Sequence, residues 1–150
     1  MNRITTVIVA TLIAGASAHQ PALTAASLNA PATAGTVAVK VQYKGKGTVD
    51  GKHQVWVWLF TTPDIQPGAM PIAQLSVAHN GEVAVFEGVP ADKVWIVAAF
   101  DEQGTMDGMG PPPSGTPVGI YADATGAPAG VVPGDKKESV LTFDDSFRMP

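Results

Sequence analysis

The chain has 150 residues, with 9 Lys+Arg against 13 Asp+Glu, 3 His and no Cys, enough for one domain with a modest negative charge. That balance excludes a nucleic-acid backbone or an anionic membrane surface as partner, since either calls for a Lys/Arg-rich face. The lack of cysteine excludes disulfides, thiol nucleophiles and thiolate metal sites. Hydrophobic residues at 45% and charged ones at 15% suit a globular chain, and 16 Gly with 13 Pro, in no three-residue period, point to a loop-rich all-β fold.

In chain order, residues 1–3 give a short positive start, 4–15 an uncharged and largely apolar run, and Ala16-Ser17-Ala18 a small-x-small cleavage pattern. This predicts a signal peptide over 1–18. The apolar run falls short of the roughly 20 residues of a membrane span. Export is therefore expected, to the periplasm or the medium, with no membrane insertion after cleavage. His19 would become the new N-terminus, but Gln20-Pro21 and an Ala/Thr/Pro leader over 19–35 offer no strand to hold it against a second imidazole.

The folded domain is expected over 36–150. Val37, Val39, Val41 and Tyr43 alternate with Ala38, Lys40 and Gln42, the period-2 pattern of a first strand with one buried face. Asp50-Gly51 is a favoured hairpin pair. The second strand, 53–61, is apolar on both parities: Val55, Val57 and Leu59 on one face, Trp56, Trp58 and Phe60 on the other. That suits a central strand covered on both sides. Pro63 and Pro67 break it. A third strand, 72–78, places Leu75 and Val77 inward with Gln74 and Ser76 outward. Asn80-Gly81 is the strongest hairpin signal in the chain, with both residues expected at positive φ. A fourth strand over 82–86, a corner at 88–92 and a continuous apolar fifth strand over 94–100 follow. The window 101–135 holds 8 Gly and 6 Pro, with one short strand near 118–121 and a stiff Pro111-Pro112-Pro113. A last strand, 139–143, turns Leu141 and Phe143 inward, and 144–150 reads as a tail. No helical apolar period appears after the signal peptide. About seven short strands predict an antiparallel β-sandwich.

The run His79-Asn80-Gly81-Glu82-Val83-Ala84-Val85-Phe86-Glu87-Gly88-Val89-Pro90-Ala91 resembles the hairpin and corner of carboxypeptidase regulatory-like domains, which share the transthyretin-like (prealbumin-like) sandwich. Those modules carry a turn glycine, a strand ending in Phe, and a Gly-Leu-Pro-Ala-Gly corner before a Tyr-bearing strand. This chain departs at Asp92, where the corner has its second Gly, and at Val94, in the Tyr position. The resemblance implies a seven-stranded, non-catalytic structural or binding module and assigns no catalytic residue.

The sequence holds no Gly-x-Ser-x-Gly elbow, His-Glu-x-x-His helix or phosphate-cradling glycine loop, so hydrolase and nucleotide-binding readings are disfavoured. With alternating strand directions, Asp50, His53, His79 and Asp101 would share one pole, beside a loop that adds Glu102 and Asp107. His53, His79, Asp101 and Asp107 are then candidate ligands of a divalent cation, the alternative to no cofactor at all. Asp and Gly are also ordinary turn formers. The Trp56, Trp58 and Phe60 face admits two readings: buried packing, or a platform in which Trp56 and Trp58 stack on sugars. The expected function is an exported, non-catalytic binding or accessory module whose partners are polysaccharides or other exported proteins.

Overall fold

A computed structural model of the chain describes residues 34–65, 68–135 and 137–150. The predicted signal peptide, most of the leader (19–33) and Pro67 lie outside these residues. The described chain is all-β, with eight strands: β1 (Gly35–Tyr43), β2 (Val55–Phe60), β3 (Ala73–Val77), β4 (Val83–Val89), β5 (Val94–Phe100), β6 (Val118–Ile120), β7 (Gly130–Val131) and β8 (Ser139–Phe143). They form two sheets. One has the order β4-β1-β8; the other runs β3-β2-β5-β6, with β7 paired to β5.

The alternating and doubly apolar patterns explain where each strand sits. β1 buries Val37, Val39, Val41 and Tyr43 and turns Lys40 and Gln42 outward. Those four residues meet Val55, Val57 and Leu59 of β2, Ile96, Ala98 and Phe100 of β5, Ala84 and Phe86 of β4, and Leu141 and Phe143 of β8 in one core between the sheets. Full burial of each Val, Leu, Ile or Phe side chain among them contributes about 1.5–3 kcal/mol, and of each Ala less. The opposite face of β2 has its own cover: Trp58 and Phe60 pack with Ala99 and Val118, and Trp56, Ile65, Met106 and Met149 close around them.

Four expectations are corrected. Neither expected hairpin forms. Asp50-Gly51 carries the chain from β1 to β2, and Asn80-Gly81 from β3 to β4, each a passage between sheets rather than a turn within one. Gly81 has φ +85° while no non-glycine residue among those described has positive φ. With the hydrogen bond from Glu82 N–H to the His79 carbonyl, this is the pattern of a type II turn, not the type I′ turn of a tight hairpin. The side chain of Asn80 explains the change of use: its Oδ1 accepts from Tyr43 N–H at 2.9 Å and its Nδ2 donates to the Tyr43 carbonyl at 2.7 Å. An amide thereby stands in for a strand residue beside the end of β1.

The second correction is that the sheets are not wholly antiparallel, because β8 runs parallel to β1, in register from Val39↔Ser139 to Tyr43↔Phe143. Parallel neighbours need a long crossover, which the excursion of the chain through the other sheet supplies. Third, Leu75 lies on the core side of β3, opposite Val57, yet is 39% exposed, since β3 is an edge. Fourth, residues 144–150 are not a loose tail. Pro117 and Arg148 form an antiparallel bridge. Val118 N–H bonds to the Phe147 carbonyl, Met149 N–H to that of Thr116, and Gly115 N–H to that of Met149. This C-terminal strap adds one more edge beside β6.

Candidate functional site

The strand registers bring the start of β2 and the ends of β3 and β5 together, with Val55 opposite both Val77 and Phe100. His53, His79 and Asp101 therefore lie just past strand ends at one pole, and Asp101 N–H bonds to the Gln54 carbonyl there. Their side chains have separate partners. Asp50 Oδ1 accepts from Lys52 N–H at 2.9 Å, His53 N–H at 2.8 Å and His53 Nδ1 at 3.1 Å. The His53 and Lys52 N–H groups, with the imidazole, lower the Asp50 pKa to about 2. The His79 N–H donates to Glu82 Oε2, which also accepts from Ala78 N–H. Asp107 Oδ1 accepts from Met109 N–H at 2.9 Å. Among the described residues, no three His, Asp or Glu side chains are grouped to hold a metal ion.

The tryptophans have a distinct setting. Trp58 is 3% exposed, and its indole Nε1 donates to the Gly108 carbonyl at 3.4 Å. Gly108 has φ +75°, and a Cβ there would run into the Trp56 ring. Only glycine lets the loop lie flat on that ring. Trp56 and Trp58 stack with centroids 6.4 Å apart. Trp56 remains half-buried, while Trp58 turns no ring face to solvent.

Sequence reasoning missed the network that organises this pole. Tyr43, stacked on Phe100 with centroids 4.3 Å apart, donates its hydroxyl to Asp145 Oδ1, and Asp145 Oδ2 accepts from Lys46 N–H at 2.9 Å. Burial, then the Asp145 carboxylate, push the Tyr43 pKa well up; the same hydroxyl, then Lys46 N–H, lower that of Asp145. Arg148 grips Glu102 with both terminal guanidinium nitrogens, at 2.8 and 3.1 Å, and reaches the Gly115 carbonyl. Its Nη2 lies 3.3 Å from Asp145. Tyr43 and Asp145 are 102 positions apart, Glu102 and Arg148 46, so no local spacing marks them.

Beside this network a cleft of about 230 Å³ is lined by Asp101, Glu102, Gln103, Thr105, Pro113 and Thr116, among others. Asp101 and Thr116 are buried, which gives the cleft a fixed polar floor, while Glu102, Gln103 and Thr105 at its mouth are exposed. A space that small suits an end group rather than an entire cofactor. No protein-family model, curated protein or solved structure matches this chain.

Proposed function

We propose that the protein is an exported, non-catalytic binding or accessory module on a transthyretin-like sandwich, and that its ligand end is the pole formed by residues 101–117 and the C-terminal strap. The observation that carries this reading is the asymmetry of the domain. Regular strands bury nearly all their inward side chains, whereas the long irregular loop, the polar cleft and the Arg148 network gather at one end. Loops held by a rigid scaffold are where binding concentrates. Export rests on the pattern of residues 1–18. The non-catalytic assignment rests on the family resemblance and on the use of Asp50, Asp107, Glu82 and Asp145 in turns and strap contacts.

The test has two parts. The full chain is produced in a bacterium with two membranes, and the mass of the exported product is measured; a mature form beginning at His19 is expected, and retention in the cytosol with residues 1–18 intact would sink the export reading. The mature chain is then screened by thermal shift against calcium, copper, zinc and soluble polysaccharides, and hydrogen exchange locates any response. Protection confined to 101–117 and 145–149 is expected, and protection at the opposite pole would overturn the placement.

A further inference from the structure

Resting on that reading, we infer that the cleft at Asp101 takes a primary alkylammonium group, from a free amine or from a lysine side chain of a partner protein. Asp101 is only 4% exposed. Its Oδ2 accepts from Met106 N–H at 2.8 Å, but its Oδ1 has no hydrogen-bond donor and neither oxygen has a cation partner among the described residues. Among the described residues no fully enclosed side-chain oxygen lacks a partner, so Oδ1 keeps some contact with solvent, and Asp101 is one of the residues that line the cleft. The neighbouring acids differ: Glu102 and Asp145 share Arg148. Lys52, whose stem passes over Gly104, makes no ion pair with Asp101.

A carboxylate so buried is strongly favoured by a cationic partner that also donates hydrogen bonds. An –NH₃⁺ group brings three donors and needs about three acceptors. Its lining includes Asp101, Gln103, Thr105, Ser114 and Thr116, residues whose carboxylate, amide and hydroxyl oxygens are the acceptors such a group needs, with Pro113 as an apolar neighbour for the carbon attached to nitrogen. Neutral polyols would leave the charge of Asp101 uncompensated.

The experiment follows backbone amide shifts of the mature chain during titration with n-butylammonium chloride, Nα-acetyl-lysine amide, 1-butanol and calcium chloride. Saturable shifts at Met106 and Thr116 with n-butylammonium, and none with 1-butanol, are expected. Asp101→Asn, which keeps an oxygen for Met106 N–H, should weaken amine binding about tenfold or more, the scale of one charge-assisted hydrogen bond in a partly buried site. Lys52→Met should leave it intact. Comparable affinity for the lysine derivative would identify a lysine side chain as an acceptable source, and binding of n-butylammonium alone would assign free amines. Equal response to amine and butanol, saturable calcium binding at the same amides, or silence with both amines would each overturn the inference. A polysaccharide that shifts these amides where the amines do not would overturn it too, while leaving the binding-module reading standing. The 1-butanol comparison decides the matter even should Asp101→Asn fail to fold.

Discussion

Along the β8 flank of the sandwich, the two sheets are joined several times over: Gly119 lies against Phe143, the strap pairs with residues 115–118, and Arg148 ties the strap to Glu102. Along the β3–β4 flank they are joined by the 78–82 corner, and beyond it two edges remain with Leu75, Val83 and Val85 exposed. The joined flank carries the long polar loop and the cleft. The contrast teaches that the elaborated end of this domain is also its most cross-linked one, so its irregular loop is held by contacts from both sheets and the strap.

The largest test of this contrast is a pair of truncations. Phe143→Ala on the joined flank should cost about 3–5 kcal/mol in urea unfolding, as for other buried phenylalanines. Leu75→Ala, already 39% exposed, should cost under about 1.5 kcal/mol, since much of its area is in water before the change. Equal costs would break the comparison.

Next is Gly108→Ala, which forces a side chain into positive φ and against Trp56. It should cost about 1–3 kcal/mol and red-shift tryptophan emission as the loop lifts from the rings. An unchanged spectrum would show that the loop does not cover them in solution.

The smallest effect concerns Tyr43 and Asp145. Tyr43→Phe should cost about 1 kcal/mol at neutral pH, and the signs of its pH dependence are opposite at the two ends. The folded pKa of Asp145 is lowered, so its contribution is present above the ordinary carboxylate range and is lost as pH falls through the lowered value. The folded pKa of Tyr43 is raised, so its contribution is complete below about pH 10 and declines as pH rises beyond that, where the unfolded tyrosine ionises. Stability measured across pH should lose the Tyr43 part of its alkaline decline in Tyr43→Phe and also much of the Asp145 part of its acid decline, since the hydroxyl is the first cause of the lowered Asp145 value, while the part that Asp50 feeds stays.

Much of the fold was legible because strand signals are local. The fifth strand and the last one have the bounds expected, Val94–Phe100 and Ser139–Phe143, since a continuous apolar run or a strict alternation depends on near neighbours alone. The doubly apolar second strand correctly implied two covers, and the Gly/Pro-rich window proved to supply one of them through Gly108 and Met106. Turn chemistry was less informative. Asn80-Gly81 supports a tight hairpin or a passage between sheets equally well, and the choice fell to the Asn80 amide meeting Tyr43, 37 positions away. Of the candidate site, the shared pole of His53, His79 and Asp101 was legible from strand directions, but the Tyr43, Asp145, Arg148 and Glu102 network was not. Its members are spread over β1, the loop after β5 and the strap.

The sequence by itself determined that this is an all-β chain, where most of its strands lie and which faces are apolar, because alternation along one strand decides which side chains can leave water together. Only the tertiary structure decided which strands share a sheet, that β8 lies parallel to β1, that the last residues form an edge, and that Asp101 lines a cleft with no ion-pair partner among the described residues. Those outcomes depend on backbone hydrogen bonds and ion pairs between distant segments, and such pairings are selected by the burial of the whole core rather than by any short stretch of residues.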